Sequence, residues 1–486
     1  MPNSASTTLA LLLGTANLIV PTVTMGSSLE VTCSDEAAAS VSDGLTLLHN
    51  MMYIQAEEYF NTAAQSDPSC AMAQWGIAMA NFHPLWPGTP TEAETTRGNA
   101  AAKELATMTP GSAIEADMIA AASAFYDPDL DGYRAQLASW AEAQIEVGAQ
   151  HPENVDAVAL AALARISVAP RGPGRIEVLS EIGDTLDTLH AKAPDHPGVI
   201  HYAIHAYDNP ALKMRGKPYA EIYDTIVPNA PHALHMPAHI FTRTGDWQAS
   251  IDLNRRSAEA ALEQSREVVQ THYVHAIDYM VYGHLQQGAY EEAAQLADEM
   301  MTIQNHQVSF GGAYALAATP VRLLLEQDKW SEAAALSSDM HPSIPWEKFP
   351  QTVAMNRFAK GLGAARSNDV ETAKEAVAEL SALRDTMLDR DQGYWARLTE
   401  GQILSIEAWI ELAAGNEELA LLHQTSAADL EDEIGKSPVT PGHVLPAREL
   451  LGDMLTLLGR SEDANAAYEA TLRLSPNRKR SLSALQ

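Results

Sequence analysis

Apolar and small residues recur along this chain at helical spacing, and no strand-like alternation of any length competes with that pattern. From Ser42 the text runs SDGLTLLHNMMYIQAEEYFNTAAQSDPSC and supplies Gly44, Leu47, Ala56, Phe60, Ala63 and Pro68. Near the other end Gly452, Leu455, Ala464, Tyr468 and Pro476 fall at the same offsets, 12 residues from glycine to alanine and 24 from glycine to proline. A small residue, a large apolar one three later, then Ala-x3-aromatic and a proline describe two helices joined by a turn. Between the ends the turn recurs as TGDWQASI (244–251), QGAYEEAA (287–294), QDKWSEAA (327–334), SNDVETAK (367–374) and AGNEELAL (414–421). Each is a tight turn followed by a helix that opens on acidic or small residues, which suits a helix N-terminus. The pattern predicts an all-α chain of helical hairpins, with longer hairpins in the C-terminal half, where the spacing drifts from 34 to above 40.

These segments resemble the tetratricopeptide repeat. The likeness covers most of residues 37–486, is sharpest at both ends and around 231–300, and is weakest from about 90 to 195. It implies a solenoid of helical hairpins wound into a right-handed superhelix over 29–486, whose first helices line a concave groove. The family's usual work is to bind a peptide or a partner protein there. The segments LLH, HPLW, HYAIHAYD and HMPAHIF also resemble a histidine-rich subgroup of exported bacterial repeat proteins, a likeness that implies no particular activity. Members that grip a carboxylate terminus have a groove rich in Lys, Arg and Asn. Here histidines stand in those places.

The histidines carry the candidate chemistry. Eight of the chain's 17 fall between 201 and 284, so they are concentrated in the stretch that the groove is centred on, 198–284. His201 and His205 are four apart, as are His235 and His239, so each pair shares one helix face. The pairs are offset by 34 residues, the repeat length, which sets them at the same height on neighbouring hairpins. His232, His235 and His239 form one stripe. One hairpin later, in register from Gly245 and Gly288, the same stripe holds His275, Asp278 and Tyr282. Three adjacent helices are thus expected to bring six histidines, an aspartate and a tyrosine to one patch. His272 is a further candidate ligand. So are His49 and His83, again 34 apart, and His443, provided that the superhelix curls its ends toward its middle. His151, His190, His196, His306, His341 and His423 read as surface or loop residues. Trp75, Trp86 and Pro87 read as hairpin packing.

Neutral imidazole binds borderline metals through one nitrogen, and histidine-dominated, carboxylate-poor sites favour copper or zinc over magnesium, calcium or manganese. Three imidazoles on each of two ions would leave coordination positions open. Met236, Met280, Tyr202, Tyr273 and Tyr279 surround the patch, and such side chains favour copper. The expectation is an oxidoreductase with one or two copper ions that acts on a small molecule with dioxygen, Asp278 and Tyr282 assisting. Two alternatives stand beside it. One is a non-catalytic scaffold or metal-binding protein that takes a protein partner in its groove. The other is a zinc hydrolase with Asp278 or Asp208 as general base. Pro237 complicates the stripe: either the helix kinks there, or it begins there with proline in its first turn. The chain has no phosphate-binding glycine loop, GxSxG elbow or HExxH.

The formal charge of −32 excludes nucleic acids and anionic membranes as ready partners and reads as a solubilising surface, or alternatively as a field that gathers cations. Residues 1–28 resemble a secretory signal, with an apolar stretch from Leu9 to Val20 but no Lys or Arg before Arg97. That predicts a periplasmic or secreted protein with no membrane span in the mature chain; a cytoplasmic chain with an apolar N-terminal segment is the alternative. Cys33 and Cys70, 37 residues apart at the starts of successive hairpins, could form a disulfide or remain two buried thiols.

Overall fold

A computed structural model of the protein describes residues 29–85, 89–265 and 267–486. The expected signal at 1–28, with Trp86 and Pro87, lies outside them. The described residues are helical throughout and contain no strand, only an isolated bridge between Val269 and His306. Helices follow one another as packed hairpins: Asp35–His49 with Tyr53–Ser66, Ala71–Ala80 with Glu92–Leu105, Ala113–Phe125 with Tyr133–Gln150, and Val155–Ser167 with Arg175–Lys192. The series continues to Ala447–Leu457 with Ser461–Leu474, and the first helix of most hairpins also packs on the first helix of the next. The hairpins run on through 90–195, where the repeat signature is weakest.

The signature has a steric cause. A Cβ on Gly44 would lie 2.9 Å from the Phe60 ring, and one on Gly452 would lie 2.6 Å from the Tyr468 ring. In these two hairpins the small residue is therefore the seat of the aromatic on the second helix. Trp75 is fully buried with its ring edge-on to Phe60, as hairpin packing requires. The recurring turns share a second cause. Gly245, Gly288, Asp328, Asn368 and Gly415 all adopt left-handed backbone, with φ of +75°, +76°, +55°, +59° and +81°. That conformation ends a helix and reverses the chain, and glycine, asparagine and aspartate tolerate it best.

Both ends of the chain return to its middle. The Asp35–His49 helix packs on Pro197–Tyr207, and the Tyr223 hydroxyl donates to Asn50 Oδ1 at 2.5 Å. At the other end Trp247 Nε1 donates to the Asn477 carbonyl (3.0 Å), Lys479 N to Gln286 Oε1 (3.1 Å) and Arg478 to the Tyr282 hydroxyl (3.2 Å). Gly245 sits at this seam, where a Cβ would come within 2.5 Å of the Pro476 carbonyl oxygen. Gly245→Ala is therefore expected to cost more than the roughly 1–2 kcal/mol that left-handed backbone alone demands. Gly415→Ala, at φ +81° with nothing within 4 Å, isolates that backbone part. Urea unfolding midpoints of the two variants make the comparison, and equal losses would refute the seam contact.

Cys33 and Cys70 are joined in a disulfide with Cα atoms 4.9 Å apart, which ties the first hairpin to the start of the second. No helix among the described residues is long and apolar enough to cross a membrane.

Candidate metal centre

Four helical segments build the centre. Pro197–Tyr207 carries His201 and His205, Pro231–His235 carries His232 and His235, Pro237–Thr244 carries His239, and Thr271–Gln287 carries His272 and His275. Pro237 opens its own helix as a first-turn proline, and Met236 keeps helical backbone at the junction (φ −54°, ψ −39°). The break divides the expected stripe. His232 turns to the preceding hairpin, while His235 and His239 turn to the following one.

Two three-histidine groups result: His201, His205 and His232 in one, His235, His239 and His275 in the other. Within each group the ligand-capable nitrogens lie within 4.8 Å of one another. In the first, His201 Nε2 and His205 Nε2 face each other at 3.1 Å. In the second, His235 Nε2 and His239 Nε2 face each other at 3.0 Å. Two nitrogens each about 2.0–2.1 Å from one ion, at an angle near 90–110°, stand roughly 2.9–3.4 Å apart. The groups adjoin, with ring centroids 6.3 Å apart for His205–His239 and for His232–His235. His201, His232, His235 and His239 are buried, whereas His205, His272 and His275 are partly exposed.

The opposite ring nitrogens are anchored by oxygens. His201 Nδ1 donates to the His49 carbonyl (2.6 Å), His235 Nδ1 to Asn254 Oδ1 (2.7 Å) and His239 Nδ1 to Asp208 Oδ2 (3.0 Å). Asn254 cannot be turned end for end, because its amide nitrogen donates to the Ser250 carbonyl at 2.8 Å. A ring whose Nδ1 donates its proton presents a lone pair at Nε2. Burial, reinforced by neighbouring imidazoles, keeps the rings neutral. It pushes His201 and His275 down to about 3, and His205, His232 and His235 well below the usual histidine range. Burial pushes His272 down to about 4.

Asp208 is buried beneath His239. Burial raises its carboxyl, but Lys436, Arg243 and His239 together hold it well below the usual carboxylate range. Arg243 Nε donates to it at 2.8 Å and Lys436 Nζ lies 3.8 Å away. Burial in turn pushes Lys436 down to about 7. Lys436 belongs to the segment 435–446, which crosses the second group: the Tyr279 hydroxyl, on a ring packed against His235, His239 and His275, donates to the Pro438 carbonyl at 3.3 Å.

Several expected site residues lie elsewhere. His272 stands beside His232, ring centroids 5.6 Å apart, but outside the six. The His49 ring turns away from His201: Nε2 donates to Asp156 Oδ1 (2.9 Å), Nδ1 meets the Tyr202 hydroxyl (2.9 Å), and only its carbonyl serves the centre. His83 bonds the Ala80 carbonyl and stacks on Tyr53, with Glu94 at 3.6 Å. His443 lies 3.5 Å from Glu431 in the crossing segment. Asp278 and Tyr282 face the interior of the next hairpins. Arg322 pairs with Asp278, Thr440 and Gly442, and Arg478 reaches Tyr282, so neither residue bonds a histidine. His196, His306 and His341, read as surface or loop residues, lie in connections between helices and are buried.

A third convergence, His49, Asp156 and His196, also brings metal-type ligands together. His196 Nε2 donates to the same Asp156 oxygen at 3.0 Å, and its Nδ1 accepts the Val199 N–H at 3.3 Å. Accepting at Nδ1 fixes the proton on Nε2, so this group closes as a hydrogen-bonded triad behind His201. Asp156, His196 and Asn254 carry no periodic signal, and only the fold reveals them. No protein-family model matches the chain, and no curated protein matches it.

Proposed function

We propose that this protein is a copper-dependent oxidoreductase that holds two ions, one on His201, His205 and His232 and one on His235, His239 and His275. Bound copper would supply electron transfer from a small-molecule substrate to dioxygen. The residues of the chain fix the imidazoles and bury four of the six, while His205 and His275 are partly exposed. The observation that carries the reading is the His235–His239 pair. Asn254 and Asp208 take both Nδ1 protons, so two Nε2 lone pairs face each other at 3.0 Å. That contact is repulsive until a cation lies between them. Six imidazoles with no carboxylate among them favour copper or zinc over magnesium, calcium or manganese, and the Tyr279 ring packed against His235, His239 and His275 supports copper. The zinc-hydrolase reading is weaker, because its candidate bases, Asp208 and Asp278, are both committed to arginines.

The hairpin series, its left-handed turns and the 34-residue offset of the histidine pairs support a tetratricopeptide-like right-handed solenoid with the centre in its groove. The Cys33–Cys70 disulfide and the apolar N-terminal stretch support an exported, periplasmic or secreted protein. A metal-binding or partner-binding protein without catalysis is the second reading, favoured by the usual work of such folds.

Elemental analysis and a visible spectrum of protein purified without a metal-affinity tag test the proposal. One to two equivalents of copper are expected, falling by about one in His235→Ala and in His239→Ala. Full metal content in both variants would remove the assignment. Copper without oxygen consumption across substrate screens would leave a binding protein.

A further inference from the structure

We infer that the two histidine groups are unequal and fill in order, the His235/His239/His275 group first, so that the paired centre assembles only when metal is plentiful. The inference rests on the reading that both groups hold metal. Its ground is the different fate of the two facing nitrogen pairs in the metal-free protein. In the His235–His239 pair both protons are committed at Nδ1, to an asparagine oxygen whose orientation Ser250 fixes and to a carboxylate that Arg243 holds in place. Neither ring, while neutral, can offer Nε2–H to the other without breaking a buried hydrogen bond.

The His201–His205 pair has only one such commitment, from His201 Nδ1 to the His49 carbonyl. His205 is partly exposed and makes no hydrogen bond among the described residues except the one to His201. Its proton can therefore sit on Nε2 and be donated to His201 Nε2 across 3.1 Å. The His201–His205 pair is satisfied without an ion, and an ion must displace that hydrogen bond and its proton before it binds. The second group is satisfied only with a cation. Its anchoring partners also orient both rings of its facing pair beforehand, whereas in the His201–His205 pair only His201 is so held, and such partners change metal affinity by about 10–100-fold.

Stepwise addition of Zn2+, and separately Cu2+, to metal-free protein against a competing chromophoric chelator tests this. The first equivalent is expected to bind about tenfold tighter than the second or better. His205→Ala should abolish the second equivalent and leave the first unchanged, while His239→Ala should remove the tight one. Two equivalents of equal affinity, or loss of the tight equivalent in His205→Ala, would overturn the order while leaving the metal centre standing. No uptake at all would overturn both. Nitrogen-15 imidazole spectra of the metal-free wild-type protein give a check that no variant can spoil: Nε2 of His235 and His239 unprotonated, Nε2 of His205 protonated. A proton shared between His235 and His239 would sink the inference.

Discussion

Asp208→Asn is expected to be the most damaging near-isosteric change at the centre. The carboxylate is buried, accepts from His239 and Arg243, and has Lys436 beside it. Removing its charge leaves an arginine uncompensated in the interior, and breaking a buried pair in this way costs about 3–5 kcal/mol. Lys436 softens the loss, because burial already brings it to about 7 and it can shed its proton. The damage to metal binding has a separate cause. The single amide oxygen of asparagine goes to Arg243, so its NH2 group faces His239 Nδ1 and drives the ring proton to Nε2, the nitrogen that must bind. Affinity of the second group should fall about 10–100-fold. Urea unfolding of metal-free protein reads the first effect and metal titration the second. A variant destabilised but unchanged in metal affinity would show that Asp208 supports the fold and does not set the His239 tautomer.

The metal-free protein should lose stability steeply as pH falls from neutrality. His201, His275 and His443 are held down to about 3 and His272 to about 4, chiefly by burial, against an ordinary value of 6.5. Above pH 6.5 these rings are neutral in both folded and unfolded chains, and their stabilising contribution is complete. Below it the unfolded chain takes up protons that the fold refuses, so stability drops until the folded values near 3–4 are passed. Each ring contributes up to about 1.4 kcal/mol per pH unit within that window. Glu431 opposes the trend: burial raises it to about 8, so its part of the stability grows as pH falls from there toward 4.5. Burial also raises Asp43, Asp278, Glu326 and Asp453, but these carboxyls are outweighed by the imidazoles, since His49, His205, His232, His235 and His239 are held down by burial as well. Asp156 and Glu449, both held low, extend the decline below about pH 4.5. The urea midpoint measured from pH 7 to 4.5 should fall continuously, and less in metal-loaded protein, where ions compete with protons for the same nitrogens. A flat profile for the metal-free chain would contradict the burial of these rings.

The fold and the heart of the centre were legible because both are periodic. Two HxxxH pairs set one repeat apart must share a face and a height on stacked hairpins, and His201, His205, His235 and His239 do. The turns were legible because left-handed backbone restricts the choice of residue, visible as Gly245, Gly288 and Asn368. The remainder depends on contacts that no period encodes. Asp156 meets His49 across 107 residues and His201 meets the His49 carbonyl across 152. His196 looked like a loop residue because it lies just before a helix, yet that position makes it the cap that accepts the Val199 N–H. The partners of Asp278 and Tyr282, Arg322 and Arg478, lie 44 and 196 residues away and were likewise outside the reach of any period.

The return of both chain ends to the middle has a consequence for how this protein comes apart. A linear stack of hairpins touches only its neighbours, so its terminal units fray first and its unfolding can proceed unit by unit. Here the outermost helices are also neighbours of the central ones, through Asn50 and Tyr223 at one end and Asn477 and Trp247 at the other. Fraying either end would expose central surface as well, which couples local opening to global unfolding. A series of helical hairpins tied together in this way is expected to unfold more cooperatively than an open array, which would shield the histidine groups from piecemeal opening.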